Sequence, residues 1–448
     1  MTPEHFLTHS LQTSSHGPKI TRILSAALQA VEPGAAVRRY LRRQGETLFV
    51  DERPYRNFGR VYLIGAGKAS VPMAQAAADI LGEKLAKGIV ITKNGMGSAP
   101  YLSRRVRVYE AGHPIPDQDG VDATFQVLDL LTNAGRRDLI LCLISGGGSA
   151  LLTFPAVKIE DLRTLTDQLL ACGATIQEIN TLRKHLDGVK GGRLADDARY
   201  NPFISLILSD VVGNPLDIIA SGPTVPDPTT FADAVAILKK YNLWDAIPSA
   251  VRHHLEMGLL GGGVESPKPG DPLFDNVQNV LVGSNELAAE AARAQAEQEG
   301  FQAKVVTTEM AGEARERGNW ILDIGYLKTR PSCLIFGGET TVTLGSSMAE
   351  VGKGGRNQEM ALAVVRKMAE IPDALFVTLA TDGGDGPTDA AGAVVTTGTL
   401  ARAEAAGLNP DDFLARHDAY HFFDPLGDLL RPGPTQTNVN DLAFLFLF

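Results

Sequence analysis

Apolar residues in this chain gather into short runs. Each run stops at glycine or a small polar group and is followed by a stretch rich in Ala, Leu and charge. The clearest runs are RVYLIGAG (60–67), DLILCLISGGG (138–148), ISLILSDVVG (204–213), VQNVLVGSN (277–285), PSCLIFGGE (331–339) and ALFVTLATDGG (374–384). Runs this short and β-rich read as strands, and the stretches between them read as helices. The alternation predicts an α/β fold with doubly wound parallel sheets, in which ligands bind outside the carboxyl ends of the strands. All six turns are therefore candidates for one site, or for two sites that face each other.

The pattern breaks at GLLGGGVESPKPGDP, where three consecutive glycines and three prolines predict a linker near 258–275. This places a Rossmann-like domain at 1–258 and a second α/β domain at 275–448. The terminal LAFLFLF is too short for a bilayer and reads as a last buried strand, either in the second domain or packed back on the first.

At 448 residues the chain is too long for one hydrophobic core. A net charge of −10 argues against nucleic acid or an anionic membrane as partner, so an anionic substrate needs a local cluster of Lys and Arg. Cys142, Cys172 and Cys333 lack CxxC spacing, which excludes a zinc site and a disulfide framework and favours a reducing compartment. The first residues carry no apolar secretory segment, so a cytoplasmic protein is expected. Self-association is left open.

Several turns carry chemistry. In VYLIGAGKAS, the glycines Gly65 and Gly67 let an anion approach backbone N–H groups, and Lys68 adds a full charge. GxGxxG fails at Ser70 and the P-loop pattern fails at Ala69, which weakens both a dinucleotide and a P-loop reading. Ser145, Gly146, Gly147, Gly148 and Ser149 form a turn suited to phosphate. Lys190 and Arg193 flank a glycine pair, and Arg183 shares a helical face with Lys190 if the helix continues that far. Asp210 closes a buried run, where a general base or a metal ligand is useful.

In the second half, Glu339 follows a strand, and Arg356 opens a helix after two glycines with its guanidinium suited to carboxylate or phosphoryl oxygens. Glu359 reads equally as a first-turn carboxylate. Asp382, Asp385 and Asp389 cluster after a strand, as Mg²⁺ ligands or as turn residues. Asn285 and the stretch PTQTNVND offer amides for polar ligands.

Taken together, GAGKAS, SGGGSALL, NTLRKHLDGVKGGRLA, LSDVVGNPLDIIASGPT, GGETTVTL, GKGGRNQE, TDGGDGPTDAAGA and TNVNDL resemble the class II glycerate 2-kinase family, whose C-terminal part is the MOFRL domain. The likeness runs in order from about residue 60 to 442. It implies transfer of the ATP γ-phosphoryl group to D-glycerate with Mg²⁺ assistance, and two α/β domains around a cleft. It also implies Lys68 and Arg356 as active-site residues and Asp210 as the aspartate of its motif. One departure is Gln436, where the family motif has glycine.

On this reading Lys68, Asp210 and Arg356 are catalytic, and Gly67, Ser70, Arg356 and Asn357 contact substrate. The 145–149 turn, Lys190, Arg193 and Asn285 hold ATP, and Glu339 and Asp382 hold the metal. The competing readings are a hydroxypyruvate reductase-type NAD(P)H oxidoreductase and a non-catalytic sugar-phosphate-binding protein.

Overall fold

The computed structural model describes residues 1–97, 101–325, 329–345 and 351–448. It divides into two compact units, one of Met1–Glu32 with Gly283–Phe448 and one of Pro33–Val282. The N-terminal segment therefore does not belong to the first sequence domain, contrary to the 1–258 expectation. The reason lies in helix α1 (Gly17–Ala30), whose apolar face of Ile20, Ile23, Leu24, Ala27 and Leu28 is buried. Lys19 Nζ donates to the Glu299 carbonyl at 2.8 Å, and Arg22 grips the Glu299 carboxylate with two bonds of 2.7 Å. The division also falls after the 258–275 linker, because the strand beyond the linker completes the sheet of the Pro33–Val282 unit.

That unit opens with an antiparallel meander of β1 (Leu41–Gln44), β2 (Thr47–Val50) and β3 (Arg53–Tyr55). A seven-stranded sheet follows, built from β4 (Val61–Ala66), β5 (Leu85–Lys93), β6 (Tyr101–Ser103), β7 (Val106–Ala111), β8 (Leu139–Ile144), β9 (Phe203–Leu208) and β10 (Val277–Gly283). Its order is β10-β9-β8-β4-β5-β7-β6. β4 runs parallel to β5 and β8, β5 to β7 and β8 to β9, while β6 is an antiparallel edge. Every residue of β8 and β9 is buried, as strands covered on both faces require. Helix α2 (Ser70–Leu81) leaves the turn after β4, and α3 (Ile176–His185) lies between β8 and β9 in sequence. The chain winds outward through β5 and β7 and then returns to the other side of β4. The strand order thus reverses between β4 and β8, which in an open α/β sheet is the switch point where ligands bind.

The second unit contains α4 (Asn285–Gln298), six strands and α5 (Arg356–Ala363). The strands are β11 (Gln302–Met310), β12 (Ser332–Gly338), β13 (Ala374–Ala380), β14 (Gly392–Thr396), β15 (Leu429–Leu430) and β16 (Asp441–Leu447), in the order β11-β12-β16-β13-β14-β15. The sheet is mixed rather than parallel, because β16 runs antiparallel between β12 and β13. LAFLFLF is thus the centre of this unit's own sheet, with all of β16 buried. Asp441, its first residue, stands opposite Gly338 on one side and Ala380 on the other. Among the described residues no helix is long and apolar enough to cross a membrane.

Candidate functional site

At the switch point the turns after β4 and β8 interlock through backbone. Ser145 N donates to Ala66 O at 3.0 Å, Lys68 N to Gly146 O at 2.9 Å, and Ala69 N to Ser145 Oγ at 3.0 Å. Gly67 sits at φ +132°, and a Cβ there would lie 2.2 Å from Ser145 Oγ, so only glycine permits this approach. A Cβ on Gly146 would lie 2.0 Å from Asp210 Oδ2, and one on Gly147, at φ +84°, would lie 2.8 Å from the His113 ring. The missing side chains are the space that Asp210 and His113 use. One end of the sheet therefore gathers Lys68, the Ser145–Ser149 turn, Asp210 and His113.

The electrostatics leave His113 without a charge there. Burial, with the charges of Lys68 and Lys93 adding to it, pulls His113 down to about 4, so the imidazole is neutral at pH 7. Lys68 makes no ion pair with any described residue. A half-buried ammonium at a glycine-lined turn can accept an anionic group without first breaking a bond.

Other expected site residues of this unit are committed elsewhere. Ser70 is fully buried and donates to Gly67 O at 2.7 Å, so it fixes the turn. Lys190 is 2% exposed; its ammonium donates to Ser149 O at 2.9 Å and Leu152 O at 2.7 Å and pairs with Asp187 at 3.4 Å. Its ammonium is thus committed to the backbone of the turn and to Asp187. Arg193 Nη2 donates to Val264 O at 2.9 Å. The helix that carries Arg183 ends at His185 and does not reach Lys190, so the two do not share one helical face. Ser149 Oγ lies 2.5 Å from Ser221 Oγ, which in turn donates to Asn180 Oδ1 at 2.9 Å.

In the other unit, Arg356 stands at the start of α5 and is held by two carboxylates. Its Nε and Nη2 donate to Asp441 at 2.5 and 3.2 Å, and Nη1 pairs with Glu339 Oε1 at 3.0 Å. Asn440 Nδ2 donates to Glu339 Oε2 at 2.8 Å. Burial works against the guanidinium charge, but Asp441, Glu339 and Asp385 outweigh it and hold Arg356 above its ordinary value. Burial raises Asp441 well above the usual carboxylate range, although Arg356 opposes it. Three of the five guanidinium N–H groups are engaged, which leaves two. Arg356 lines a cavity of about 480 Å³ together with Glu339, Gly355, Glu359 and His417 among others.

Asn357 is buried, and its amide and backbone N–H donate to Asp385 Oδ1 at 3.3 and 3.1 Å. Asn285 spends its amide N–H₂ on Val439 O at 2.8 Å and Asp441 O at 2.9 Å, pinning the start of β16. Asp382 is exposed and accepts from Gly384 N at 3.1 Å, while Asp389 pairs with Arg431. The acidic run thus separates into a capping residue, an exposed turn residue and a surface ion pair. Among the described residues no group of three or more His, Cys, Asp or Glu is placed to hold a metal.

Sequence reasoning missed Asp441, Asp385 as a cap, and His113. Asp441 was visible as the charge that opens LAFLFLF, and His113 as the polar residue following VYEA, a strand left out of the six runs.

Two family models match the chain: Domain of unknown function (DUF4147) over residues 19–256 and the MOFRL family over 332–441. The Glycerate 2-kinase of Pyrococcus horikoshii is 42% identical over 94% of this chain and 95% of its own length. The D-glycerate 2-kinase of Thermotoga maritima is 40% identical with the same two coverages. A crystal structure of glycerate kinase from Thermotoga maritima superposes with a TM-score of 0.84 at 38% identity, covering 95% of this chain and 98% of that one. This chain belongs to the glycerate 2-kinase family. In this member of the glycerate 2-kinase family, Lys68 and Asp210 lie in the DUF4147 segment and Arg356 and Asp441 in the MOFRL segment. Gln436, at the family's glycine position, adopts φ +61°, the left-handed backbone that glycine favours.

Proposed function

We propose that this member of the glycerate 2-kinase family transfers the γ-phosphoryl group of ATP to the 2-hydroxyl of D-glycerate, in the cytoplasm. The observation that carries this is the Lys68 ammonium, without an ion pair among the described residues, at the glycine turn of the switch point, with the Asp210 carboxylate against the same turn. Phosphoryl transfer needs alignment and charge neutralisation more than covalent help. The substrate hydroxyl oxygen forms a bond to Pγ as the bond from Pγ to the bridging oxygen breaks, and ADP leaves. Asp210 accepts the hydroxyl proton. Lys68 neutralises the glycerate carboxylate or the migrating group, and Arg356, in its own unit, is a second cation suited to either. The 145–149 turn cradles nucleotide phosphates, with Lys190, Ser70 and the Ser149–Ser221–Asn180 chain holding its shape.

Mg²⁺, when bound, offsets charge on the phosphates and is held mainly by phosphate oxygens and water with one or two carboxylates. Glu339 and Asp382 are both exposed and keep unused lone pairs, so each suits that limited part. The Lys68→Ala and Arg356→Ala variants should bind little differently in fold yet lose about 10²–10³ in turnover. Product analysis tests the whole reading: ³¹P NMR should show the doublet of 2-phosphoglycerate, whereas 3-phosphoglycerate gives a triplet. Consumption of NADH with hydroxypyruvate, and none of ATP with glycerate, would overturn it.

A further inference from the structure

Arg183, in the last turn of α3, is a cation that the roles above leave unused. Among the described residues its guanidinium makes no hydrogen bond and no ion pair. Burial lowers its pKa, and the charge of Asp187 is what acts in the other direction. Asp187 is already engaged: its carboxylate accepts from Thr153 Oγ1 at 2.7 Å, Phe154 N at 3.2 Å and Val189 N at 3.0 Å, besides its pair with Lys190. A largely buried cation without a partner is unfavourable in the empty protein, and an incoming anion would relieve it.

The place of Arg183 points to such an anion. It lines a recess with Pro116, Ser149, Thr153, Asp187 and Lys190. Ser149 closes the glycine turn at the switch point, so the recess adjoins that turn. Its volume is about 20 Å³, room for one oxygen-sized group and far too little for a ring. The donors of Lys190 all go to protein groups. Of the two cations in the wall, Arg183 is the one with N–H groups to offer, and its planar fork matches a carboxylate or phosphoryl group.

We propose that Arg183 is an oxyanion-binding residue that takes one carboxylate or phosphoryl oxygen of a substrate in the recess beside Ser149. This rests on the 145–149 turn being the phosphate-type site of the proposed kinase, and it gives a role to a residue that the proposed mechanism leaves without one.

The test compares wild type, Arg183→Lys and Arg183→Gln as full-length chains, with far-UV circular dichroism as a check on fold. D-glycerate and inorganic pyrophosphate are titrated separately, following the thermal midpoint without turnover, and KM is measured for D-glycerate and for ATP. Arg183→Gln should weaken one ligand class by about ten- to a hundredfold, the span of one charge-assisted hydrogen bond, and leave the other within about threefold. Loss on D-glycerate alone assigns the recess to the carboxylate, and loss on pyrophosphate and ATP alone assigns it to phosphate. Arg183→Lys keeps the charge without the fork and should show a smaller loss on the same ligand; it decides the matter if the Gln variant does not fold. Unchanged affinities in a folded variant overturn the proposal, and so does an equal loss on both ligands, which marks a structural role. If wild type phosphorylates nothing but its pyrophosphate affinity still depends on Arg183, the kinase reading falls and this inference stands.

Discussion

Gly146 shows how closely the site depends on absent atoms. Its backbone is ordinary, so alanine would be tolerated but for the Asp210 carboxylate 2.0 Å from where the methyl would sit. Gly146→Ala should therefore displace Asp210 with little strain in the backbone itself. We expect kcat to fall by about 10²-fold, the typical result of moving a reacting group by an ångström, with the unfolding midpoint changing much less. Steady-state kinetics beside a urea titration would show it, and a variant with native kcat would remove Asp210 from the mechanism. His113 makes a different prediction. Its folded pKa of about 4 lies below the ordinary 6.5, so between those values the unfolded chain binds a proton that the folded protein refuses. The stability it contributes is complete above pH 6.5 and is lost as pH falls toward 4. His113→Gln should flatten that loss, read as a smaller difference between urea midpoints at pH 5 and pH 7.5 than wild type shows.

At the scale of elements, the start of α5 is where sequence and structure differ most instructively. RNQE was legible as a helix start, and Arg356 as a cation after two glycines. Its partners were not, because Asp441 lies 85 positions away and reaches it only when β16 enters between β12 and β13. Asp385 likewise reads as one of three clustered acids, yet it caps α5, accepting from Asn357 N at 3.1 Å and Gln358 N at 2.8 Å. Gly355 allows this, since a Cβ there would lie 2.3 Å from the Asp385 carboxyl carbon. Asp385→Ala should cost roughly 1–2 kcal/mol as a lost cap, measured by denaturant unfolding, and should also lower turnover by releasing Arg356. An unchanged stability would show that the capping bonds contribute nothing net. In the other unit the strands were readable as buried apolar runs and the site as their glycine ends, because both signals are local.

At the scale of the whole molecule, the chain begins in one unit, builds the other, and returns. Residues 1–32 carry α1, the Arg22–Glu299 pair and Ser10, whose backbone N–H and hydroxyl both donate to Asp428 at 2.8 Å. A chain lacking residues 1–32 should therefore lose stability in Gly283–Phe448 before Pro33–Val282. Limited proteolysis would reveal this as early cleavage in the C-terminal part, and equal resistance of both parts would contradict it. The sequence by itself determined the α/β alternation, the strands, the glycine turns and the family, because hydrophobic period, turn chemistry and motif order are written in neighbouring residues. Only the tertiary structure decided that Lys68 has no ion pair among the described residues, that Arg356 is clasped by Asp441 and Glu339, that Lys190 is buried and spent on the turn and that the last strand is central. Charges are partnered or left open by segments that meet only after folding, and no local pattern records which ones will meet.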